Sequence, residues 1–271
     1  MPVTYPYTQY SGTWTLNSII GNVAAGQWAK IPRLFSWGPG GNGGLGLGNT
    51  TNYSSPKQVN SFSQWLSISA GQYGASAIKS DNTLWAWGYN WAGQLGLGNT
   101  TNYSIPKQIG ALTNWSKISA SNGSNFAIKT DGTLWAWGYN ASGQLGLGNT
   151  TYYSSPKQVG ALTNWSSISA SYAMVLAIKT DGTLWSWGNN KYGELGLGNT
   201  TYYSSPKQVG ALTNWLSIFA GRTGYLPYGA NSFAIKTDGT LWAWGNNRLG
   251  NLGLSNTTKY SSPKQIGALT N

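Results

Sequence analysis

Trp37, Trp87, Trp137 and Trp187, each followed by glycine, recur every fifty residues, and Trp244-Gly245 follows after fifty-seven. Pro56, Pro106, Pro156, Pro206 and Pro263 keep the same rhythm. A fixed period of this length means one supersecondary unit repeated, because a single unit of that size cannot bury its apolar face without a neighbour. The seven additional residues of the last interval fall between Ala220 and Phe233, in a Gly-Arg-Thr-Gly-Tyr-Leu-Pro-Tyr-Gly stretch found nowhere else in the chain.

One unit, Trp115 to Gly160, shows what is repeated. Trp115–Ala120 alternates in the manner of a first strand. A second, Phe126–Thr130, joins a third, Thr133–Trp137, through Asp131-Gly132, a tight-hairpin signal because glycine accepts the positive φ that such turns require. The fourth, Pro156–Val159, carries a proline that suits an edge where no ladder N–H is needed. Gly138–Ser155 is long for a connection, yet it is nearly the same in every unit, which predicts an ordered loop packed by Leu145 and Leu147. Four antiparallel strands per unit match a propeller blade. The expectation is an all-β chain: residues 1–13 as an N-terminal arm, then one β-propeller over 14–271 with five four-stranded blades at about 14–60, 61–110, 111–160, 161–210 and 211–271. A ring closed on itself is favoured over an open arc, whose two bare aromatic end faces repeat arrays normally cap. Fourteen of the sixteen tryptophans recur in register: Trp14, Trp65, Trp115, Trp165 and Trp215 open strand one, and Trp37 and the four Trp-x-Trp pairs lie in strand three. These are read as inter-blade core, since each indole buries a large apolar area.

Composition closes off most chemistry. There is no histidine and no cysteine, and there are five acidic residues among 271. The usual base near neutral pH, the commonest metal ligands and the thiol nucleophile are therefore missing. Asp81, Asp131, Asp181 and Asp238 occupy one turn position in four units, and Glu194 stands alone in place of a loop Gln. No acid pair emerges, so no catalytic residue, cofactor or metal is assigned and the chain is read as a non-enzyme. Gly41-Asn42-Gly43-Gly44-Leu45-Gly46 satisfies the dinucleotide glycine pattern without the strand-to-helix context that gives the pattern meaning. The Asn-x-Thr triplets are read as turn-stabilising. Net charge is +11, but nine of the sixteen basic residues are dealt out by the repeat in Pro-Lys-Gln and Ala-Ile-Lys triplets. Evenly spaced rings of lysine are expected rather than a basic patch, which disfavours specific nucleic-acid binding. The N-terminus lacks the pattern of a secretory signal, and no apolar run approaches a membrane span.

The stretch from Phe126 to Gly148 and its copies resemble the repeat of the regulator of chromosome condensation family, through the Asp-Gly turn, the Trp-Gly-x-Asn stretch and the Gly-Gln-Leu-Gly-x-Gly loop. The resemblance covers nearly everything from Trp14 onward and implies a β-propeller. The family typically has seven repeats where this chain has five, and its usual histidine before strand two is replaced here by residues such as Ser124-Asn125. Its founding member is an exchange factor for the GTPase Ran that docks on nucleosomes through loops and a basic tail, and no equivalent tail or loop is found here. The Gly-Trp-Arg-His-Thr motif of its plant photoreceptor member is also missing. Near-identical repeat chains of this look in bacteria and phages imply a surface or virion-associated protein.

Residues that break the repeat are the candidates for a specific site: Trp28 and Trp91, off the tryptophan register; Arg222, Tyr225 and Tyr228 of the insertion; and Arg248 and Lys191, which replace neutral loop residues. Aromatic side chains beside Arg are hot-spot chemistry for protein partners. Tyr5, Tyr7 and Tyr10 make residues 1–13 a candidate docking arm for a neighbouring subunit. The favoured reading is a structural or protein-interaction module within a larger assembly, on a virion (capsid decoration or tail) or a cell surface, otherwise cytoplasmic. A multivalent lectin with one sugar site per blade is second, and a weak electrostatic nucleic-acid binder third.

Overall fold

A computed structural model describes residues 19–21, 33–221 and 230–267. They form five successive antiparallel sheets. In the third, Trp115–Ala120, Ser124–Lys129, Leu134–Gly138 and Tyr153–Gln158 pair in chain order. The first strand has the expected bounds and the others differ from expectation by one to three residues at their ends. Sheets two, four and five repeat the pattern from Trp65, Trp165 and Trp215. In the first sheet the described strands are Ile19–Gly21, Arg33–Gly38 and Tyr53–Ser63. Trp14 and Trp28 lie outside the described residues.

The Asp-Gly hairpins form as the sequence predicts, with Gly132 and Gly182 at φ 76° and 75°. Each turn aspartate also anchors the strand that follows. Asp131 Oδ1 accepts from Thr133 N and Thr133 Oγ1, and Trp135 Nε1 donates to Thr133 Oγ1. The Thr133 hydroxyl, then its backbone N–H, holds the Asp131 carboxyl below its ordinary value. These acids are structural.

Blades join through a repeated set of contacts that explains the tryptophan register. From blade two to blade five, strand one meets strand one of the next blade: Ala120 N donates to Ser69 Oγ at 2.8 Å, Ala170 N to Ser119 Oγ at 3.0 Å and Ala220 N to Ser169 Oγ at 2.9 Å. Strand one of each of these blades also packs against strand two of the preceding one, so strands one line the propeller axis and the proline-bearing strand four is left at the outer edge. Farther out, the second tryptophan of Trp-x-Trp inserts under the loop of the preceding blade. Trp137 Nε1 donates to Gln94 O at 2.9 Å, and Trp187 Nε1 to Gln144 O at 2.8 Å. A Cβ on Gly96 or Gly146 would stand 2.7 or 2.8 Å from the inserted indole nitrogen, so the loop's glycines are required by the neighbouring blade as much as by their own positive φ. The joint between blades three and four buries Phe126, Ile128, Leu134, Leu145, Trp165 and Trp187 together. On blade five, Ile235 and Leu241 are 36% and 37% exposed, whereas their counterparts Ile178 and Leu184 are 3% and 0% exposed beneath the next blade.

The long loop is ordered by one asparagine. Asn140 Nδ2 donates to Asn149 O and Thr151 O, while Asn140 Oδ1 accepts from Leu145 N. Asn149 Oδ1 in turn accepts from Thr151 N, an Asx turn that gives the Asn-Thr-Thr triplet its structural role. Around Gly41–Gly43 the glycine pattern makes a single 3-10 turn rather than a phosphate-binding helix start.

Candidate functional site

The two sets of repeat lysines differ in surroundings. Lys57, Lys157, Lys207 and Lys264 are exposed on the outer strands, each about 5.5 Å from the tyrosine ring that begins the same strand. The Ala-Ile-Lys set is the correction to the expected rings: Lys129, Lys179 and Lys236 are only 7–8% exposed. Lys129 Nζ sits 3.8 Å from the ring centre of Trp135 and 5.1 Å from that of Trp115. Desolvation lowers the Lys129 and Lys179 ammonium groups against the opposing pull of Asp131 and Asp181. The alkyl stems cover indole surface, so these three lysines do not contribute to an exposed basic patch.

What the surface does present is aromatic. The turns between strands one and two, the loops after strand three and the residues entering strand four all emerge on one face, opposite the Asp-Gly turns. There Trp91 packs against Tyr139 at 5.4 Å and Tyr152 at 6.1 Å between ring centres; Tyr139 meets Tyr152 at 4.9 Å and Tyr172 at 6.1 Å. Blades two, three and four each contribute to this cluster. Trp91, Tyr152 and Tyr172 are 48%, 42% and 44% exposed, so the rings pack on one another while still facing solvent. Burial, with Tyr152 beside it, raises the Tyr139 phenol above its ordinary range. The cluster is flanked by Tyr73 stacked edge-on with Tyr89 at 5.9 Å, and by Tyr202, whose hydroxyl accepts from Asn189 Nδ2 at 3.1 Å. No charged side chain takes part in these contacts.

Local departures from the repeat build this surface. Tyr152 and Tyr202 stand where blades one and two carry Asn52 and Asn102, whose Oδ1 atoms accept from Gly40 N and Asn90 N. Tyr139 stands where blade four has Asn189, and Trp91 where blade three has Ala141. Of the candidates chosen from sequence, Trp91 belongs to the cluster. Arg248 holds the loop position of Trp91 three blades farther on; it is exposed, its N–H donates to Asn246 Oδ1, and it is not part of the ring cluster. Lys191 lies between, with Nζ 5.6 Å from the Tyr192 ring, which Lys259 also approaches at 4.6 Å. Trp28, Arg222, Tyr225, Tyr228, Tyr5, Tyr7 and Tyr10 lie outside the described residues. Tyr139, Tyr152 and Tyr172 were missed because each looks like ordinary aromatic drift; aligning the units and asking where Asn becomes Tyr finds the first two.

Glu194 is the one buried acid outside the turns. Its Oε2 accepts from Tyr192 N at 2.6 Å, as Gln94 and Gln144 Oε1 accept from Ala92 N and Ser142 N. At 2% exposure, burial pushes its carboxyl up to about 7. Among the described residues no three acidic side chains gather as a metal site, and no helix is long and apolar enough to cross a membrane.

Comparison with known proteins agrees with this architecture. No curated protein matches the chain. Among solved structures, Prp20p from Saccharomyces cerevisiae superposes with a TM-score of 0.74 at 21% identity, covering 88% of this chain and 60% of its own. Human WBSCR16 superposes at 0.73 and 18% identity, covering 87% and 61%. The chain therefore spans about 60% of the length of these propellers, and at such identity the likeness shows the fold alone. The model of the regulator of chromosome condensation (RCC1) repeat matches residues 33–78, 81–128, 131–178, 181–224 and 238–271. With most of its length matched unit by unit, the chain belongs to the RCC1 repeat family.

Proposed function

We propose that the protein is a non-enzymatic interaction module whose rigid propeller presents the ring cluster of Trp91, Tyr139, Tyr152 and Tyr172 to a protein partner. The observation that carries this reading is three large aromatic side chains left between two-fifths and half exposed in one contiguous patch assembled from three blades. Contiguous exposed apolar surface on an otherwise polar domain marks an interaction site, and Trp and Tyr are the side chains most often found to anchor protein interfaces. The similarly folded Prp20p is described with its binding to Gsp1p and histones, which is precedent for a propeller of this kind as a protein-binding scaffold. The finer setting, a phage particle or a cell surface, rests on the likeness of near-identical repeats alone; stoichiometric copurification with a particle tests it. A lectin with one site per blade has less behind it, because the residue entering strand four is Tyr in blades three and four but Asn52, Asn102 and Lys259 elsewhere.

The test uses the protein's own repeats as a guide. Trp91→Ala, Tyr139→Asn and Tyr152→Asn each install a residue already tolerated at the same position of another blade. The triple variant is expected to melt within a few degrees of the parent while losing the polypeptide that copurifies with the parent from its native source. Retention of that polypeptide by a folded triple variant excludes this face as the contact.

A further inference from the structure

One set of three positions recurs at successive joints of this face, and its chemistry changes from joint to joint. Between blades two and three the set is Trp91, Tyr139 and Tyr152, whose rings pack together. Between blades three and four it is Ala141, Asn189 and Tyr202, where Asn189 Nδ2 donates to the Tyr202 hydroxyl at 3.1 Å. Between blades four and five it is Lys191, Asn246 and Lys259. There the two ammonium groups approach a single ring, that of Tyr192, at 5.6 and 4.6 Å. Arg248 takes the position of Lys191 on blade five, and all three cations are exposed. The repeat dictates nine of the sixteen basic residues, and none of these three is among them. No acid on this face neutralises them: the four aspartates occupy the turns at the opposite face, and Glu194, the fifth acid, is 2% exposed beneath the loop with its Oε2 tied to Tyr192 N.

We propose that the face is graded, aromatic at blades two and three and cationic at blades four and five, and that Lys191, Arg248 and Lys259 bind the carboxylates of an acidic polypeptide segment whose aromatic or apolar residues rest on the ring cluster. The inference deepens the interaction-face reading above and rests on it. The rings anchor the segment, as large aromatic side chains do at protein interfaces. The cations steer it and fix its direction, which is what exposed charges of one sign contribute to a partner of the other. The fold sets the spacing. Two blade steps, at about 10 Å between packed sheets, make at least about 20 Å, which an extended chain crosses in about six residues or more. A nucleic-acid strand is the other anionic polymer that combines rings and charge, and the geometry is against it. Base stacking on such a surface takes open ring faces along a basic track. Here Trp91 and Tyr139 are tilted by 47°, Trp91 meets Tyr152 edge-on at 83° and Tyr139 meets Tyr152 at 64°, with the cations confined to one end.

The substitutions are again borrowed from other blades: Lys191→Ala and Arg248→Ala install the residue found at Ala141, and Lys259→Asn the residue found at Asn52 and Asn102. The probes are two labelled peptides of one composition and a ten-nucleotide oligothymidylate, titrated against the full chain by fluorescence anisotropy. One peptide places a Trp-Phe pair about seven residues from a run of glutamates, to match the span of the face; the other places the pair directly beside the glutamates. The spaced peptide should bind the parent more tightly than the compact one. The triple cation variant should bind it about tenfold more weakly at low salt, the scale of three exposed ion pairs together, with the salt dependence gone and the melting temperature within a few degrees of the parent. No binding of the spaced peptide, no preference for it over the compact one, or equal binding by parent and cation variant overturns the proposal. Tighter, cation-dependent binding of the oligothymidylate overturns it in favour of nucleic acid. The two readings fail separately. Peptide binding lost with Trp91→Ala, Tyr139→Asn and Tyr152→Asn but kept in the cation variant sinks only the acidic-segment proposal, whereas binding lost in the cation variant and untouched by the ring substitutions sinks the ring cluster as anchor and leaves the carboxylate site standing.

Discussion

Glu194→Gln isolates the energetic cost of placing an acid where the repeat places an amide. Burial raises the Glu194 carboxyl from its ordinary 4.5 to about 7. At about 1.4 kcal/mol per factor of ten, that gap corresponds to roughly 3 kcal/mol. The sign follows from linkage: the folded protein holds the proton more tightly than the unfolded chain does. The group's contribution is therefore fully present below pH 4.5, declines as pH rises, and is lost once pH passes about 7. The chain has no histidine and no cysteine, and all four aspartates are held below their ordinary value, so they titrate below this window. Gln fits the site, since Gln94 and Gln144 make the same bond to the loop N–H two residues earlier. Urea unfolding followed by tryptophan fluorescence should show the parent losing roughly 2–3 kcal/mol between pH 5 and 8 and the variant staying nearly flat. The two curves should converge near pH 5 and separate at pH 8 with the variant the more stable. Parallel curves, or a variant less stable at pH 8, refute the assignment of the pH dependence to this buried carboxyl.

Other substitutions test the joints and the loop. Gly146→Ala brings a Cβ to 2.8 Å from the indole nitrogen of Trp187 at φ 75°, while Gly160→Ala at φ 62° meets nothing within 4 Å. By denaturant unfolding the second should cost about 1–2 kcal/mol for backbone strain alone and the first distinctly more, on the order of 3 kcal/mol or above; equal costs refute the inserted-tryptophan joint. Asn140→Ala removes the bonds to Leu145 N, Asn149 O and Thr151 O. It should cost about 2–4 kcal/mol and speed amide exchange across residues 145–151 ahead of the strands, as expected when buried backbone groups lose their partners. Lys129→Met keeps the stem over Trp115 and Trp135 and discards a desolvated ammonium; thermal unfolding should place it within about 1 kcal/mol of the parent.

The repeat made the blade legible before any coordinates. Alternation in Trp115–Ala120, the Asp131-Gly132 hairpin and the edge proline Pro156 are local signals, and each one names a strand or a turn by itself. The second tryptophan of each Trp-x-Trp pair was legible as core for the same reason, whereas Trp85, Trp135, Trp185 and Trp242, expected in the core as well, are only half-buried. What periodicity could not reveal is which partner each repeated residue meets. That Gly146 is a slot for Trp187, forty-one positions on, or that Lys129 is laid over two indoles, depends on how one blade is set against the next, and every copy of the unit carries the same letters whichever way that goes. The aromatic face was the least legible part. Trp91 was visible as an off-register tryptophan, but Tyr139, Tyr152 and Tyr172 become a site only when loops from three blades converge, which requires the curvature of the propeller as well as the sequence of a blade.

The central claim, a repeat-built scaffold whose specific chemistry lies on one aromatic face, is tested most directly by site-specific photocrosslinking in the protein's native setting. A photoreactive residue at position 141, within the face, and one at position 130, on the opposite side, are both exposed in the same blade. The account predicts that position 141 captures one polypeptide partner reproducibly and that position 130 does not. Capture of the same partner from position 130 alone, or equally from both positions, contradicts it.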